Sequence, residues 1–310
     1  MEKAVVTGGA GFIGSHIVEE LAKSHEVVVY DNLRSGFERN VAPFVEAGGA
    51  KLVRADVLDG AALRRALDGA RTLFHLAALV SVPESMANEI ETVRINTIGT
   101  LNVLRAAREA GVRNLVFSSS AAVYGDNPAV PKVETMGPEP KSPYAVTKYD
   151  GECYFRMYRN EYGLNATSLR YFNVFGPRQD PASQYAAAVP IFISKALRNE
   201  PITIFGDGEQ TRDFIFVKDV VQANLLAAAK GGDLYNVAWG ARITINDLAK
   251  NIVRITGSRS KLVYAPERPG DVKHSMADNS KIVGELGFKP ASNLHDGLLA
   301  TIRFFEGRER

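Results

Sequence analysis

The chain has very few of the residues that build covalently linked or metal-bound scaffolds. Its 310 residues include one cysteine, one tryptophan and five histidines. The single thiol, Cys153, excludes an internal disulfide and any site with several cysteine ligands, and its apolar neighbours predict a buried position in a helix. The histidines are scattered without the spacing of metal ligands, so no metal site is expected.

Long apolar runs and blocks of one charge are also missing. No run approaches the roughly 18 apolar residues that span a bilayer, and a strand begins where a signal peptide would have its apolar segment. The 37 lysines and arginines nearly balance 35 acidic residues, for a net charge of +2, and no basic block typical of nucleic-acid-binding proteins occurs. We therefore expect a cytoplasmic enzyme with neither nucleic-acid nor membrane partners.

The N-terminus contains a glycine motif between a predicted strand and a predicted helix. A β-branched run, Lys3–Thr7, leads into G-x-x-G-x-x-G, and apolar residues then recur at helical spacing. Glycines in this pattern let the backbone amides of a helix N-terminus approach a pyrophosphate. The motif predicts a dinucleotide site at Gly8, Gly11 and Gly14.

A second predicted strand, Glu26–Tyr30, ends at Asp31. A carboxylate at this place accepts hydrogen bonds from the adenosine ribose. Because Asp31 repels a 2′-phosphate, it favours NAD, although Arg34 nearby would attract that phosphate.

Three further predicted strands end in small or polar residues. The carboxyl ends of such strands form the cofactor crevice of a doubly wound sheet. For Asp56, a helix cap or turn residue is the alternative interpretation. The predicted contacts at these strand ends are Asp56, Val57, Leu76, Ala77, Ala78 and Ser118.

A tyrosine and a lysine four residues apart form the candidate catalytic pair. Ser142 is a good N-cap and Pro143 suits the first helical position, so Tyr144 and Lys148 share one face of a helix at the crevice mouth. An ammonium lowers the pKa of a neighbouring phenol, which makes Tyr144 a candidate general base. Ser120 follows another strand and would hydrogen-bond the same substrate oxygen. The alternatives are a surface pair and a turn hydroxyl.

These motifs, in this order and spacing, resemble the extended short-chain dehydrogenase/reductase family nearly end to end. The resemblance implies an α/β fold with a doubly wound parallel (Rossmann) sheet in an NAD-binding domain at residues 1–172. A smaller C-terminal α/β substrate domain follows at 173–310, with segments crossing between the two. A homodimer is implied as well. By the same resemblance, the cofactor contacts extend to Phe12, Ile13, Asn32, Asn96, Tyr144, Lys148 and Phe172.

Within this family the chain is most similar to the enzymes that invert C4 of a UDP-hexose. The implied reaction oxidises the sugar with NAD to a transient 4-ketone and returns the hydride to the other face. Dehydratases of the family carry an acid in the serine stretch, where this chain has none, and this difference favours epimerisation. A nucleotide-sugar reductase or dehydrogenase with net redox change is the alternative.

The second half of the chain provides the predicted substrate contacts. Two arginines in separate loops, Arg212 and Arg268, would neutralise a diphosphate. Ser275 lies where, by resemblance, a small residue leaves room for an N-acetyl group. For Arg212, a surface ion pair with Asp213 is the alternative. The predicted substrate contacts are Ser120, Tyr144, Asn173, Arg212, Arg268, Asp271 and Ser275.

Overall fold

A computed structural model describes residues 1–181, 187–267 and 273–309 of the chain. The strands of this part are, in chain order, β1 (Lys3–Thr7), β2 (Glu26–Asp31), β3 (Ala50–Arg54), β4 (Ala70–His75), β5 (Asn114–Ser120), β6 (Asn165–Tyr171), β7 (Val174–Phe175), β8 (Ile202–Phe205), β9 (Thr211–Arg212), β10 (Ile215–Phe216), β11 (Leu234–Val237), β12 (Ile243–Thr244) and β13 (Leu262–Ala265).

Helices connect these strands and cover the sheet. They are, in chain order, α1 (Phe12–Leu21), α2 (Ala42–Glu46), α3 (Gly60–Leu67), α4 (Val82–Ala87), α5 (Glu89–Val93), α6 (Gly99–Glu109), α7 (Pro143–Tyr162), α8 (Ala188–Leu197), α9 (Val217–Lys230), α10 (Ile245–Thr256), α11 (Ser280–Leu286) and α12 (Leu294–Glu309). In the ranges given above, no helix is long and apolar enough to cross a membrane.

Seven parallel strands form the main sheet in the order β3-β2-β1-β4-β5-β6-β11. The chain first runs outward from β1 to β3 and then returns to β4 on the other side of β1. Between β1 and β4 the connections therefore diverge, and a crevice opens at the carboxyl ends of the strands. The prediction of a doubly wound α/β sheet is confirmed.

Both faces of this sheet are covered by helices, because its strands are apolar on both sides. On one face α1 packs beside α9, and Ile17, Val18 and Leu21 of α1 are buried in the same core as Val220. On the other face lie α3, α6 and α7. Burying one such side chain contributes about 1.5–3 kcal/mol to the free energy of folding. The buried faces of these helices therefore hold the turns that form the crevice in place.

The C-terminal half adds a strand to the first sheet and also forms a core of its own. Strand β11 forms the edge of the main sheet beside β6, and α9 packs against α1. A separate core joins α8, α10 and α12, with Phe192, Leu248 and Leu298 among its buried residues. Segments thus cross between the two units, while the domain boundary at residue 172 stays a prediction.

The helical segment that follows α4 contains one wider turn. Helices α5 and α6 are joined by a π-helical turn, Arg94–Ile98. Such turns often occur at functional sites, and this one contains Asn96. On α7, Cys153 is only half-buried, so the prediction of a buried thiol is wrong.

Helix α7 lies too close to β5 to allow a side chain at Gly151. A Cβ atom there would be 2.3 Å from Cζ of Phe117. We expect Gly151→Ala to lower the free energy of unfolding by about 1–3 kcal/mol, the usual cost of overpacking. Denaturant unfolding measures this.

The matched control is Gly284→Ala on the exposed side of α11, where an added Cβ meets nothing within 4 Å. There the exchange should stabilise the helix by up to about 1 kcal/mol. Equal effects of the two substitutions would contradict the close packing of α7 on β5.

Candidate active site

A cleft of about 690 Å³ lies at the carboxyl ends of β1, β2, β4 and β5. Its wall brings together most of the residues predicted from sequence to contact the cofactor or carry the chemistry. These are Gly8, Gly11, Phe12, Ile13, Gly14, Asp31, Asn32, Asp56, Val57, Leu76, Ala77, Ala78, Ser118, Ser120, Tyr144 and Lys148.

The glycine turn after β1 allows two backbone segments to touch. A Cβ at Gly8 would lie 2.7 Å from the amide nitrogen of Ala77, and one at Gly14 would lie 2.2 Å from the carbonyl oxygen of Gly8. Gly8 also has φ +70°, a conformation that glycine adopts easily. Gly11 is the N-cap of α1 and has no side chain, so an anionic group can approach the amides of the first helical turn.

Asp31 is held in one orientation at the end of β2. Its Oδ2 accepts a hydrogen bond from the Ala10 amide at 2.9 Å, and its Oδ1 accepts one from the Leu33 amide at 2.8 Å. Burial raises the pKa of this carboxyl above its ordinary value. Arg34 contacts two carboxylates, Glu84 at 3.0 Å and Glu91 at 3.5 Å. Arg34, which would otherwise attract a 2′-phosphate, is thus already paired with two acidic side chains.

Asn32 and Asp56 close the same end of the cleft. The Asn32 amide donates to Asp56 Oδ2 at 2.8 Å, and Asp56 Oδ1 accepts from the Leu58 amide. Helix α3 is capped by Asp59, whose side chain accepts from two amides of the first turn. The interpretation of Asp56 as the helix cap is therefore wrong. Its hydrogen bond from the Leu58 amide agrees with the alternative of a turn residue, and its place on the cleft wall agrees with the cofactor prediction.

In the part of the chain that the structure describes, two predicted cofactor contacts do not line the cleft but lie behind its wall. Asn96 is buried, and its amide group donates to the carbonyl and accepts from the amide of Leu79 while also donating to Thr147 Oγ1. Phe172 is fully buried against the Tyr124 ring. The structure thus gives Asn96 a supporting position, since its polar atoms are used within the protein. It gives Phe172 a packing position.

Ser120, Tyr144 and Lys148 meet at the inner end of the cleft. The Ser142 hydroxyl caps α7 by accepting from the Ala145 amide, which fixes the first turn that carries Tyr144. The Ser120 hydroxyl accepts a hydrogen bond from the Ala122 amide at 3.2 Å and lies on the cleft wall beside the phenol of Tyr144. Lys148 Nζ donates to the Ser118 carbonyl at 2.6 Å and lies 5.8 Å from the centre of the Tyr144 ring.

Burial dominates the electrostatics of this pair. It raises the pKa of the Tyr144 phenol, and the neighbouring Ser120 hydroxyl acts in the opposite direction. It lowers the pKa of Lys148 to about 7, against the effect of Glu152, which raises it. The predicted lowering of the Tyr144 pKa does not occur in the protein alone, because removal from water dominates the shift of this phenol. For the cofactor-bound enzyme it stays a prediction.

Apart from Ser120 and Tyr144, the predicted substrate contacts that the structure describes lie around β9. The Arg212 guanidinium donates to the Thr211 carbonyl at 2.9 Å, and the Ser275 amide donates to the same carbonyl at 3.1 Å. Asn173 donates to the carbonyl of Asp213. Arg268 and Asp271 lie outside the described residues. The cleft wall of the described residues does not include Asn173, Arg212 or Ser275, so their roles stay predictions.

Sequence reasoning missed the role of Asp213. This carboxylate is fully buried and accepts the backbone amides of Trp239, Gly240 and Ala277. Burial raises its pKa to about 6. The alternative of a surface ion pair is wrong, because Asp213 is buried and binds the backbone of two segments distant in sequence. An acid directly after an arginine carries no local signal for this role.

Comparisons with known proteins agree with this geometry. Residues 4–238 match the NAD dependent epimerase/dehydratase family. The chain belongs to this family. It is 39% identical to the UDP-glucose 4-epimerase of Mycolicibacterium smegmatis over 99% of its own length and 100% of that protein. The family prediction is confirmed, and NAD is the cofactor.

Two solved structures have nearly the same fold. The UDP-N-acetylglucosamine 4-epimerase of Methanobrevibacter ruminantium M1, in complex with UDP-N-acetylmuramic acid, is 42% identical with a TM-score of 0.96 and 99% of each chain covered. The UDP-glucose 4-epimerase of Thermotoga maritima with UDP-glucose is 41% identical with a TM-score of 0.95, covering 99% of this chain and 100% of that one.

The cleft of this epimerase/dehydratase family member fits NAD. Gly8 and Gly14 leave space that a Cβ would fill, beside the N-terminus of α1 where a pyrophosphate is favoured. Asp31 presents a carboxylate at the ribose position without an unpaired arginine beside it, since Arg34 contacts Glu84 and Glu91. Both features agree with a dinucleotide that lacks a 2′-phosphate.

We expect Asp31→Asn to weaken NAD binding about tenfold or more, since a hydrogen bond to a charged group contributes about 1.5–3 kcal/mol. Isothermal titration of NAD into cofactor-stripped protein measures the change. The matched control is Asp59→Asn at the cap of α3, where asparagine caps equally well and NAD affinity should not change. Unaltered affinity in Asp31→Asn would contradict the assigned ribose contact.

Proposed function

We propose that this enzyme inverts C4 of a UDP-hexose, interconverting UDP-glucose and UDP-galactose and also accepting the N-acetylated pair. The observation that carries the proposal is the meeting of Ser120, Tyr144 and Lys148 at the inner end of a cleft fitted to NAD. Full-length similarity to proteins named for both sugar classes supports it.

The chain's own residues would move one proton and hold the sugar oxygen. The Tyr144 phenolate takes the proton of the 4-hydroxyl, while Ser120 hydrogen-bonds the same oxygen as it becomes a carbonyl. Lys148 as an ammonium favours the phenolate. NAD supplies the site that accepts and returns the hydride. The 4-ketose turns over, and Tyr144 returns the proton to the other epimer.

The acidic residues near the catalytic group do not favour elimination of water. The stretch from Ser118 to Gly125 has no carboxyl group. Glu152, directly behind it, is paired with Arg170 through two hydrogen bonds and accepts from Ser119. A carboxylate used in this way is not available to protonate a leaving hydroxyl, and this favours an epimerase over a dehydratase.

The turning step requires a firm hold on the diphosphate and a loose hold on the sugar. We assign the firm hold to Asn173, Arg212, Arg268 and Asp271. Asn173 donates to the Asp213 carbonyl, and the buried Asp213 carboxylate, directly after Arg212, accepts two backbone amides. Two arginines bind a diphosphate by charge-assisted, often bidentate, hydrogen bonds.

A homodimer is the proposed assembly. Exposed apolar side chains gather on α4, α5, the π-helical turn and α7, elements that contact one another. Ile90 is 83% exposed, far more than its apolar surface favours in a monomer. The other members of this face are Met86, Val93, Ile98 and Val146. A monomeric mass by light scattering would contradict this assembly.

The cytoplasmic location stays a prediction.

The purified enzyme should convert UDP-galactose to UDP-glucose without added NAD and without accumulating NADH, as resolved by chromatography and absorbance. Tyr144→Phe should lose about 10²–10⁴-fold in kcat, the usual contribution of a general base. Tyr162→Phe, half-exposed at the end of the same helix, is the control and should keep full activity. Stoichiometric NADH release would instead favour the nucleotide-sugar dehydrogenase.

Sugar choice tests the assignment of Ser275. We expect Ser275→Tyr to lower kcat/KM for UDP-N-acetylgalactosamine at least about tenfold relative to UDP-galactose, because the larger ring removes space for the acetyl group. Ser275→Ala keeps a small side chain and should leave the ratio unchanged. An unchanged ratio in Ser275→Tyr would contradict the assignment.

A further inference from the structure

A buried ion pair lies directly behind the catalytic serine. Arg170 donates to Glu152 through Nε at 2.8 Å and Nη2 at 2.7 Å, and the two side chains are only 3% and 6% exposed. The same Glu152 carboxylate accepts a hydrogen bond from the Ser119 hydroxyl. The pair belongs to none of the cofactor or substrate contacts assigned above.

The register of the sheet places this pair across from the serine run. Ser119 on β5 is paired with Arg170 on β6, so the guanidinium lies beside the strand end that delivers Ser120. The Arg170 guanidinium also stacks on the Tyr124 ring, 4.5 Å from its centre. Tyr124 ends the short 3₁₀ turn that follows Ser120. The pair thus holds the chain on both sides of Ser120.

Glu152 also follows the catalytic pair along α7. Tyr144, Lys148 and Glu152 recur every four residues, which places them in a row on one helix face. Lys148 is buried and Glu152 lies one turn beyond it, so its carboxylate is a negative charge within the same low-dielectric region. One carboxylate therefore contacts the serine strand and lies one helical turn from the lysine.

A structural purpose alone explains this arrangement poorly. The cost of removing two charges from water often exceeds their attraction, and buried ion pairs are frequently replaceable by apolar residues without loss of stability. An arginine and a glutamate at these positions therefore point to a role in the site that they adjoin.

We propose that Glu152 is a positioning residue: through Ser119 and Arg170 it fixes the backbone that carries Ser120, and through its charge it keeps Lys148 as an ammonium. This role rests on the proposed function, because Ser120 and Lys148 act in that reaction. Other charged or titratable groups also surround the pair. His75 and Tyr144 face Lys148, Tyr124 faces Arg170, and a second cavity beside Glu152 is lined by Glu134, Tyr149, Arg156, Arg159, Asp233 and Lys281.

The test compares Glu152→Gln with Glu152→Asp. Glutamine keeps the shape and removes the charge, so Lys148 should lose its proton at lower pH. Activity depends on the ammonium and falls as pH rises through its pKa. The alkaline limb of kcat should therefore move to lower pH by about one unit, with kcat reduced about 10–100-fold and KM little changed. Aspartate retains the charge and should keep the wild-type alkaline limb.

A second readout does not depend on turnover. Lysine-selective ¹³C NMR, with the Lys148 resonance assigned through Lys148→Met, should show a lower Lys148 pKa in Glu152→Gln than in the wild type. If Glu152→Gln folds poorly because Arg170 is left unpaired, the double variant Glu152→Gln with Arg170→Met removes both charges. It should show a lower Lys148 pKa than Arg170→Met alone, in which the Glu152 charge is kept.

The outcomes separate the two proposals. An active wild-type epimerase whose Glu152→Gln variant keeps both the pH profile and the Lys148 pKa would overturn the positioning role. A wild type that turns over no UDP-hexose, while the NMR shift is present, would overturn the proposed function and leave the charge coupling standing.

Discussion

The site depends on keeping a lysine charged where there is almost no water. Lys148 is 3% exposed, and burial lowers its pKa to about 7. Its Nζ has a carbonyl acceptor at Ser118, and Glu152 provides a compensating negative charge. Without the negative charge of Glu152 the amine would lose its proton more easily, and the nearby phenol would then lose the charge that favours its phenolate.

The sheet provides the geometry for this balance. Because the connections diverge between β1 and β4, a crevice opens between their carboxyl ends, and glycines let the two backbones approach within contact distance. Strand β5 ends beside that crevice with its serines, and α7 packs across β5 tightly enough to exclude a side chain at Gly151. A cofactor in the crevice and a base on α7 are therefore brought together by the fold itself.

Local sequence patterns predicted much of this architecture and most of the cleft wall. The glycine turn, the acid after β2 and the Ser142 cap each depend on residues close in the chain, so short motifs reveal them. Asp213 could not be recognised in this way, because its three amide donors come from segments 26 to 64 residues away. The family resemblance implied a cofactor contact at Asn96, but only the folded π-helical turn shows that its amide holds Leu79.

Charge states were the least predictable feature. Spacing alone indicated that Lys148 would lower the Tyr144 pKa, but the degree of burial, which no local pattern measures, reverses the direction in the protein alone. The resemblance implied that segments cross between the two units but not which ones, because a four-residue strand such as β11 does not specify its partner until β6 offers an open edge.

The most direct test of reversible oxidation at C4 is the fate of the hydrogen on that carbon. UDP-galactose deuterated at C4 would be incubated with the enzyme in ordinary water, and the UDP-glucose formed would be analysed by NMR and mass spectrometry. Hydride removal and return within one closed site predicts a product that retains deuterium at C4. Loss of the label to solvent would contradict the mechanism, because it would show that C4 is inverted through proton exchange.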